Sequence, residues 1–210
     1  MIAGANVAWY AARAGGLVAF VLLTLATLAG LLLAGRAQNK HWPRFAVEDV
    51  HRYLGLLAGT FIWLHVLVLL VDSYLPFSVA QLTVPGLSTY RPLPTALGVV
   101  GAELLLALAL TNRFRARLPY AFWRRAHFLN FAVWALALAH GVTAGADGDT
   151  AWALALYAGC GGTVAAATVW RALRARPPLP GWALGLWTGT AGLVGAELVT
   201  ALVLGPVGPR

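Results

Sequence analysis

Charged residues are scarce in this chain. Only 10% of its 210 residues are Asp, Glu, Lys or Arg, whereas 60% are hydrophobic. A soluble domain normally has about a quarter of its residues charged, because its surface faces water. The deficit argues against a soluble domain and indicates a chain whose surface lies largely in lipid.

Cysteine is also nearly absent. Cys160 stands alone, which excludes an internal disulfide and any Cys-rich zinc or iron–sulfur site within the chain. Acidic residues are few, and Glu103 and Glu197 are the only ones inside apolar stretches. Neither stands at metal-ligand spacing from a histidine, which disfavours a non-heme metal site.

Long apolar stretches recur along the whole chain. They lack the alternation of barrel strands, and backbone groups in lipid must be hydrogen-bonded internally, so we predict transmembrane helices. The predicted fold is an all-α, polytopic membrane helix bundle forming one domain, residues 1–210. The Pro-rich connection 72–94 is predicted to be irregular and to cover one mouth of the bundle. The six predicted spans are 16–34, 51–71, 95–110, 121–142, 151–170 and 181–204.

The positive charge lies between these spans. A net charge of +8 suggests nucleic-acid binding, but arginines in short gaps between apolar runs are typical of topogenic loops, so no nucleic-acid partner is expected. By the positive-inside rule the Arg-rich side is cytoplasmic, and both termini are predicted on the outer side. That side holds twelve of the fifteen basic residues: Arg36, Lys40, Arg44, Arg52, Arg113, Arg115, Arg117, Arg124, Arg125, Arg171, Arg174 and Arg176.

Four of the five histidines lie in only two of the predicted spans. His51 and His65 are fourteen residues apart on the second span, and His127 and His140 are thirteen apart on the fourth. Both separations correspond to about 20 Å along a helix. Because the two spans run in the same direction, His51 and His127 should share the cytoplasmic level, and His65 and His140 the outer level.

Two levels with two imidazoles each match what bis-histidine heme binding requires. Low-spin heme iron takes two axial nitrogens, and facing bundle helices can supply them. We therefore predict two b-type hemes with these four histidines as axial ligands. The alternative, four hydrogen-bonded core histidines, is disfavoured because ionisable residues within spans are usually functional.

The spacing on the fourth span does not fit an ideal helix. Thirteen residues turn His140 about 140° away from the face of His127. The span is therefore predicted to be overwound, bulged or bent between them.

Other residues fit the heme hypothesis less specifically. Arg52, Arg124 and Arg125 flank the cytoplasmic histidines, where they can pair with heme propionates or serve only as topogenic charges. Gly55 and Gly59 leave room either for a porphyrin face or for close helix packing.

The remaining features of interest are two tryptophans, an acidic stretch and the fifth histidine. Trp134 lies between His127 and His140, and Trp63 near the outer level, where packing or interface anchoring competes with a bridging role. The acidic stretch 145–149 can attract cationic metal complexes, although a solvated turn is the simpler interpretation. His41, in the first basic loop, is predicted to be an ordinary surface residue.

The histidine pattern resembles the ferric reductase-like transmembrane domain, which ferric reductases and NADPH oxidases share. The similarity rests on one helix with His-x13-His and another with His-x12-His, with one helix between them. The segment LPYAFWRRAHFLNFAVWALALAH, residues 118–140, is especially similar. The unequal spacing is part of the family pattern. The resemblance covers about residues 16–170, so the predicted last span, 181–204, lies outside it.

The resemblance implies an oxidoreductase component of a bacterial inner membrane, in which two b hemes carry electrons from the cytoplasmic to the outer face. The implied acceptor is a ferric chelate, dioxygen or a periplasmic protein. Full-length reductases continue into flavin and nicotinamide domains, and no GxGxxG turn is present here, so we expect a separate flavoprotein or quinol as donor. The alternatives are a heme subunit serving a specific periplasmic reductase, as in a bacterial methionine sulfoxide reductase system, and a non-redox heme-binding membrane protein.

Overall fold

The computed structural model describes residues 2–35 and 43–173, together with Gly181, Gly185 and Gly189. These residues form helices and connections, with no strand among them. A short 3-10 turn, Arg115–Arg117, precedes the fifth helix. The α-helices are α1 (Ile2–Ala34), α2 (Arg44–Val71), α3 (Val79–Thr83), α4 (Pro92–Arg113), α5 (Tyr120–Phe128), α6 (Asn130–Ala144) and α7 (Ala151–Leu173).

The described residues contain five segments that are long and apolar enough to cross a membrane. The prediction of an all-helical membrane bundle is confirmed for this part of the chain, and the protein is a multi-pass membrane protein. Apart from its three described glycines, the predicted sixth span lies outside the described residues, and so does His41. The five segments are Val7–Ala34, Arg44–Val71, Pro92–Arg113, Tyr120–Ala144 and Ala151–Leu173.

Two helices begin well before the predicted spans. α1 starts at Ile2 instead of residue 16, and α2 at Arg44 instead of residue 51. The first turns of α2 are charged and include an ion pair between Arg52 and Glu48 at 2.9 Å. Hydropathy detects only the part of a helix that lies in lipid, so it misses turns that continue into water. His51 therefore sits about two turns inside a continuous helix.

The connection between α2 and α4 is more regular than predicted, because it contains α3. Ser78 caps this helix: its hydroxyl accepts from the backbone N–H of Gln81 at 3.3 Å. The Gln81 side chain in turn accepts from the N–H of Ser78 at 2.9 Å. This capping box satisfies two helix-terminal donors reciprocally. The prediction of a wholly irregular connection was wrong because it weighed the prolines and overlooked the Ser-x-x-Gln pattern.

α1 lies at the centre of the bundle. It packs along α2 on one side and against α6 and α7 on the other, while α4 packs along α6. The core between them is formed around Phe20, Trp134, Leu138 and Tyr157. α2 makes at most marginal backbone contact with α5 and α6. A gap therefore separates α2 from the fourth span, and the histidines face each other across it.

Candidate functional site

The structure brings the four histidines together as two pairs. The ring centres of His51 and His127 are 6.0 Å apart with an interplanar angle of 75°. Those of His65 and His140 are 6.4 Å apart at 74°. Two metal–nitrogen bonds of about 2.0–2.1 Å, plus the distance from each nitrogen to its own ring centre, span a separation of this size. Each pair is thus spaced for one metal ion between two imidazoles.

The pairs lie at two levels of the bundle, called inner and outer here after the predicted orientation. His51 contacts α1 at Ala26, and His65 contacts it at Ala12, so α1 and α2 run antiparallel. The contacts are fourteen residues apart on each helix, which corresponds to about 21 Å. These pairs and levels are the ones expected if the second and fourth spans run in the same direction. The role of the histidines as ligands remains a prediction.

A tightened turn at Leu129 reconciles the thirteen-residue spacing with helical geometry. α5 ends and α6 begins around this residue, whose N–H donates to the carbonyl of Ala126, three residues earlier, at 2.9 Å. The Asn130 side chain donates to the carbonyl of His127 at 2.7 Å and so stabilises the interruption. A hydrogen bond to the carbonyl three residues earlier, instead of four, overwinds the helix locally. The fourth span is thus irregular between His127 and His140, as the spacing predicted.

Backbone carbonyl groups hold three of the four imidazoles. A carbonyl oxygen can only accept a hydrogen bond, so Nδ1 carries the proton and Nε2 of the neutral ring keeps a free lone pair. Histidines that bind metals usually donate their second N–H in this way. The three bonds run from His51 Nδ1 to Ala26 O at 2.8 Å, from His65 Nδ1 to Ala12 O at 2.7 Å, and from His140 Nδ1 to Pro94 O at 2.9 Å.

His127 is held differently. Its ring stacks on Trp123, with centres 5.3 Å apart and planes inclined by 24°. The Trp123 indole N–H donates to Asn112 at 2.8 Å, which fixes the stacking platform. The Asn130 amide nitrogen lies 3.4 Å from His127 Nδ1, which is long for a hydrogen bond. The inner pair therefore has one imidazole anchored by a carbonyl, and the outer pair has two.

The surroundings of the pairs leave room for a planar cofactor. An added Cβ at Gly55 or Gly59, between the two histidines of α2, would meet nothing within 4 Å. At the outer level, a cavity of about 200 Å³ is lined by His65 and His140, by Arg13 and Asp147, and otherwise by mostly apolar residues. The α2–α4 connection contributes four residues to this lining: Leu75, Phe77, Leu82 and Tyr90.

The described residues include no group of three or more His, Cys, Asp or Glu that could hold a metal ion. A metal between two imidazoles therefore needs its remaining ligands from another source. A porphyrin supplies four nitrogens in a plane and leaves two axial positions. The paired imidazoles and the gap beside them fit such a group.

The three predicted propionate partners have different surroundings. Arg52 is engaged on its own helix, bonding Glu48 at 2.9 Å and lying 3.8 Å from Asp49. Arg124 and Arg125 are exposed on α5. Nothing in these contacts tests a role at heme propionates, which stays a prediction for all three.

Two arginines at the outer level, which we did not assign to the site from sequence, make long-range contacts. Arg13 of α1 forms an ion pair with Asp147, with its Nε 3.0 Å from Oδ2. Arg91 donates to the carbonyl of Thr143 at 2.6 Å. Asp147 belongs to the acidic stretch 145–149, so one of the two carboxylates there is engaged by a cation of the protein itself.

The two tryptophans near the histidines have distinct environments. Trp134 is 1% exposed, stacks on Phe20 and donates its indole N–H to Thr24 Oγ1 at 2.9 Å. It fills the core between the two levels. Trp63 is 57% exposed on the outside of the bundle, as expected of an interface anchor.

Glycines that face the imidazole rings were missed at the sequence level. A Cβ added to Gly16, Gly30 or Gly98 would lie within 3.3 Å of a ring atom of His65, His51 or His140, respectively. One signal was available: Gly16 and Gly30 are fourteen residues apart, the same interval that separates His51 from His65.

The described residues form a helical membrane bundle with two pairs of facing histidines. Residues 15–138 match the ferric reductase like transmembrane component family, and the chain belongs to this family. The match includes His51, His65 and His127 and ends two residues before His140. Domains of this family generally bind heme. No curated protein and no solved structure gives a significant match.

Proposed function

We propose that this protein carries electrons across a bacterial inner membrane through two b-type hemes, from the cytoplasmic to the outer face. The observation that carries the proposal is the two pairs of facing histidines at different levels, with ring centres 6.0 and 6.4 Å apart. His51 and His127 would hold the inner heme, and His65 and His140 the outer one. When bound, the heme iron supplies one-electron redox chemistry.

The protein's own residues prepare these positions. Three imidazoles donate Nδ1–H to backbone carbonyls, which fixes their tautomer and presents Nε2 as the ligating atom. With both histidines of a pair as ligands, each heme would supply outer-sphere electron transfer. The buried layer around Trp134 and Leu138 excludes water from the region between the levels.

The distribution of basic residues supports this direction, because the positive-inside rule favours the cytoplasmic side for the His51–His127 level. A separate flavoprotein or quinol supplies the electrons there. At the outer level, a ferric chelate, dioxygen or a periplasmic protein accepts them.

Heme content tests the cofactor assignment. Purified protein should show a reduced-minus-oxidised b-type spectrum equivalent to two hemes per chain, and His65→Ala should lose the outer heme and retain the inner one. His41→Ala is the matched control, because it removes a histidine that has no assigned ligand role, and it should retain both. A wild-type protein without a b-type signal, or a His65→Ala variant with two hemes, would refute the assignment.

Reoxidation kinetics identify the acceptor. The reduced protein in liposomes is mixed with ferric citrate, with air-saturated buffer or with a periplasmic protein fraction. Rapid oxidation by the first or second supports a small-molecule acceptor. Oxidation that is rapid only with the protein fraction supports the alternative of a subunit dedicated to a periplasmic reductase. If the hemes stay reduced in all three mixtures, the electron-transfer function is wrong and a non-redox heme protein is favoured.

A further inference from the structure

A glycine follows each of the three histidine-holding carbonyls at an interval of four residues. In an α-helix the carbonyl of residue i accepts from the N–H of residue i+4, and the Cβ of residue i+4 points back toward that carbonyl. A side chain there covers the second lone pair of the oxygen, and glycine leaves it accessible. The three carbonyl–glycine combinations are Ala12 with Gly16, Ala26 with Gly30, and Pro94 with Gly98.

The space that each glycine leaves is occupied by the imidazole itself. A Cβ at Gly98 would lie 2.7 Å from both Nδ1 and Cε1 of His140, closer than carbon atoms approach without displacement. A Cβ at Gly16 would lie 3.2 Å from Nδ1 of His65, and one at Gly30 would lie 3.3 Å from Cε1 of His51. The rings thus rest directly on the helix backbone of their neighbours, most closely at Gly98.

General small-residue helix packing is the competing explanation. Such packing brings backbones together, yet the nearest atoms at Gly16, Gly30 and Gly98 belong to imidazole rings. Neighbouring glycines behave differently. At Gly101 the closest atom to an added Cβ is the Leu136 Cβ, 3.4 Å away. At Gly15 the closest atoms are backbone and Cβ atoms of His65, all 3.7 Å or more away, and no ring atom is among them.

The arrangement is repeated in a way that follows the histidines. Gly16 and Gly30 are separated by fourteen residues on α1, as His65 and His51 are on the antiparallel α2. α4 provides the third instance for His140 of α6. His127 is the exception: among the described residues no backbone carbonyl accepts from its Nδ1, and its ring stacks on Trp123 instead.

We propose that Gly16, Gly30 and Gly98 are positioning residues for the axial histidines. By leaving the carbonyl accessible, each glycine fixes the rotation of one imidazole and its Nδ1–H tautomer, so that Nε2 is directed to the iron. This inference rests on the proposed heme binding and extends it to residues that touch neither the iron nor its acceptor.

The hydrogen bond also has an electronic effect. Donation from Nδ1 to a carbonyl raises the basicity of the imidazole ligand. A more basic axial ligand stabilises ferric over ferrous iron, so losing the bond shifts the midpoint potential of that heme to more positive values. The outer heme, with two anchored ligands, should respond to both Gly16 and Gly98, and the inner heme only to Gly30.

The test compares Gly98→Ala and Gly16→Ala with Gly101→Ala and Gly15→Ala in the full-length, heme-loaded protein. Two measurements are made: a redox titration, which is monitored by absorbance, and low-temperature EPR of the ferric hemes. We expect Gly98→Ala to raise the ferrous-to-ferric ratio of the outer heme about tenfold at fixed potential. This change corresponds to a positive shift of the midpoint potential of about 59 mV for one electron. Release of the outer heme from Gly98→Ala would be the stronger form of the same effect. Gly16→Ala should act in the same direction but less strongly. Gly30→Ala should move only the inner heme.

The two control variants should keep the wild-type potentials and EPR spectrum. Wild-type values in both Gly98→Ala and Gly16→Ala, or equal shifts in Gly101→Ala, would overturn the positioning role. If Gly98→Ala does not fold, as judged by circular dichroism, the milder Gly16→Ala decides the question. A wild-type protein that lacks heme overturns the proposed function together with this inference, whereas two hemes with unaltered variants overturn the inference alone.

Discussion

At the scale of single residues, the polar contacts between the two histidine levels form a short chain. The indole N–H of Trp134 donates to the hydroxyl of Thr24 at 2.9 Å, and that hydroxyl donates to the carbonyl of Phe20 at 2.9 Å. Both side chains are buried. Because water does not reach this layer, each donor depends on its protein partner.

Thr24→Val should destabilise the protein by about 1–3 kcal/mol, because it leaves the Trp134 indole N–H buried without an acceptor. Thermal unfolding in detergent, followed by circular dichroism, measures the change. Thr27→Val is the matched control: the Thr27 hydroxyl donates to the carbonyl of Leu23 at 2.8 Å, within its own helix. A loss of stability at Thr27→Val as large as at Thr24→Val would contradict the role of the indole bond.

Sequence spacing predicted which histidines share a level, because the rise along a helix depends only on residue number. It could not identify what holds the rings, because the carbonyl partners lie on other helices. Gly55 and Gly59 attracted attention since they stand on the same helix as His51 and His65. The glycines that contact the rings are on α1 and α4, and only the structure brings these helices next to the histidines.

At the scale of the elements, the ion pair between Arg13 and Asp147 joins the outer part of α1 to the connection between α6 and α7. Its side chains are 28% and 17% exposed, respectively. The pair between Arg52 and Glu48 lies within α2 and is more exposed, at 56% and 42%. The first ion pair therefore joins two separate elements, whereas the second lies within a single helix.

A double-mutant cycle with Arg13→Ala and Asp147→Ala should give a coupling free energy of about 1.5–3 kcal/mol, as expected for a partly buried, charge-assisted hydrogen bond. The corresponding cycle at Arg52 and Glu48 should give about 0.5 kcal/mol or less. Unfolding free energies of the four proteins in each cycle provide the measurement. Equal coupling at both sites would show that Arg13 and Asp147 do not fasten the two elements.

Five of the six predicted spans coincide with long apolar helices among the described residues, because about twenty apolar residues have few alternatives in lipid. Their ends and interruptions were predicted less well. α3 depends on a two-residue capping box around Ser78 that hydropathy does not register. The break at Leu129 was expected from the histidine spacing, but its position was not, because it depends on the Asn130 side chain reaching the carbonyl of His127.

At the scale of the whole molecule, the orientation in the membrane decides which histidine pair would receive electrons under the proposed function. Cys160 is the only cysteine, so a Cys160→Ala background allows single cysteines to report sidedness. Ala116 lies in the 3-10 turn between α4 and α5, and Thr89 lies in the connection before α4; both are exposed. They stand on opposite sides of the membrane, since α4 crosses it between them.

A membrane-impermeant maleimide should label Thr89→Cys in intact spheroplasts, and Ala116→Cys only after the membrane is permeabilised. The reason is the cluster of arginines around Ala116, which the positive-inside rule retains in the cytoplasm. The extent of labelling is measured by gel shift with and without permeabilisation. The opposite labelling pattern would reverse the direction of electron transfer that we propose, without affecting the heme assignment.

The matching intervals of fourteen residues on α1 and α2 also bear on how this family can diverge. Under the proposed positioning role, a family member that lacks the histidine at position 51 does not need glycine at position 30. The same relation holds between positions 65 and 16. Larger side chains should then be accepted at positions 30 and 16. Across family members, glycine at these α1 positions should therefore persist or vanish together with its histidine, as a correlated substitution between two helices.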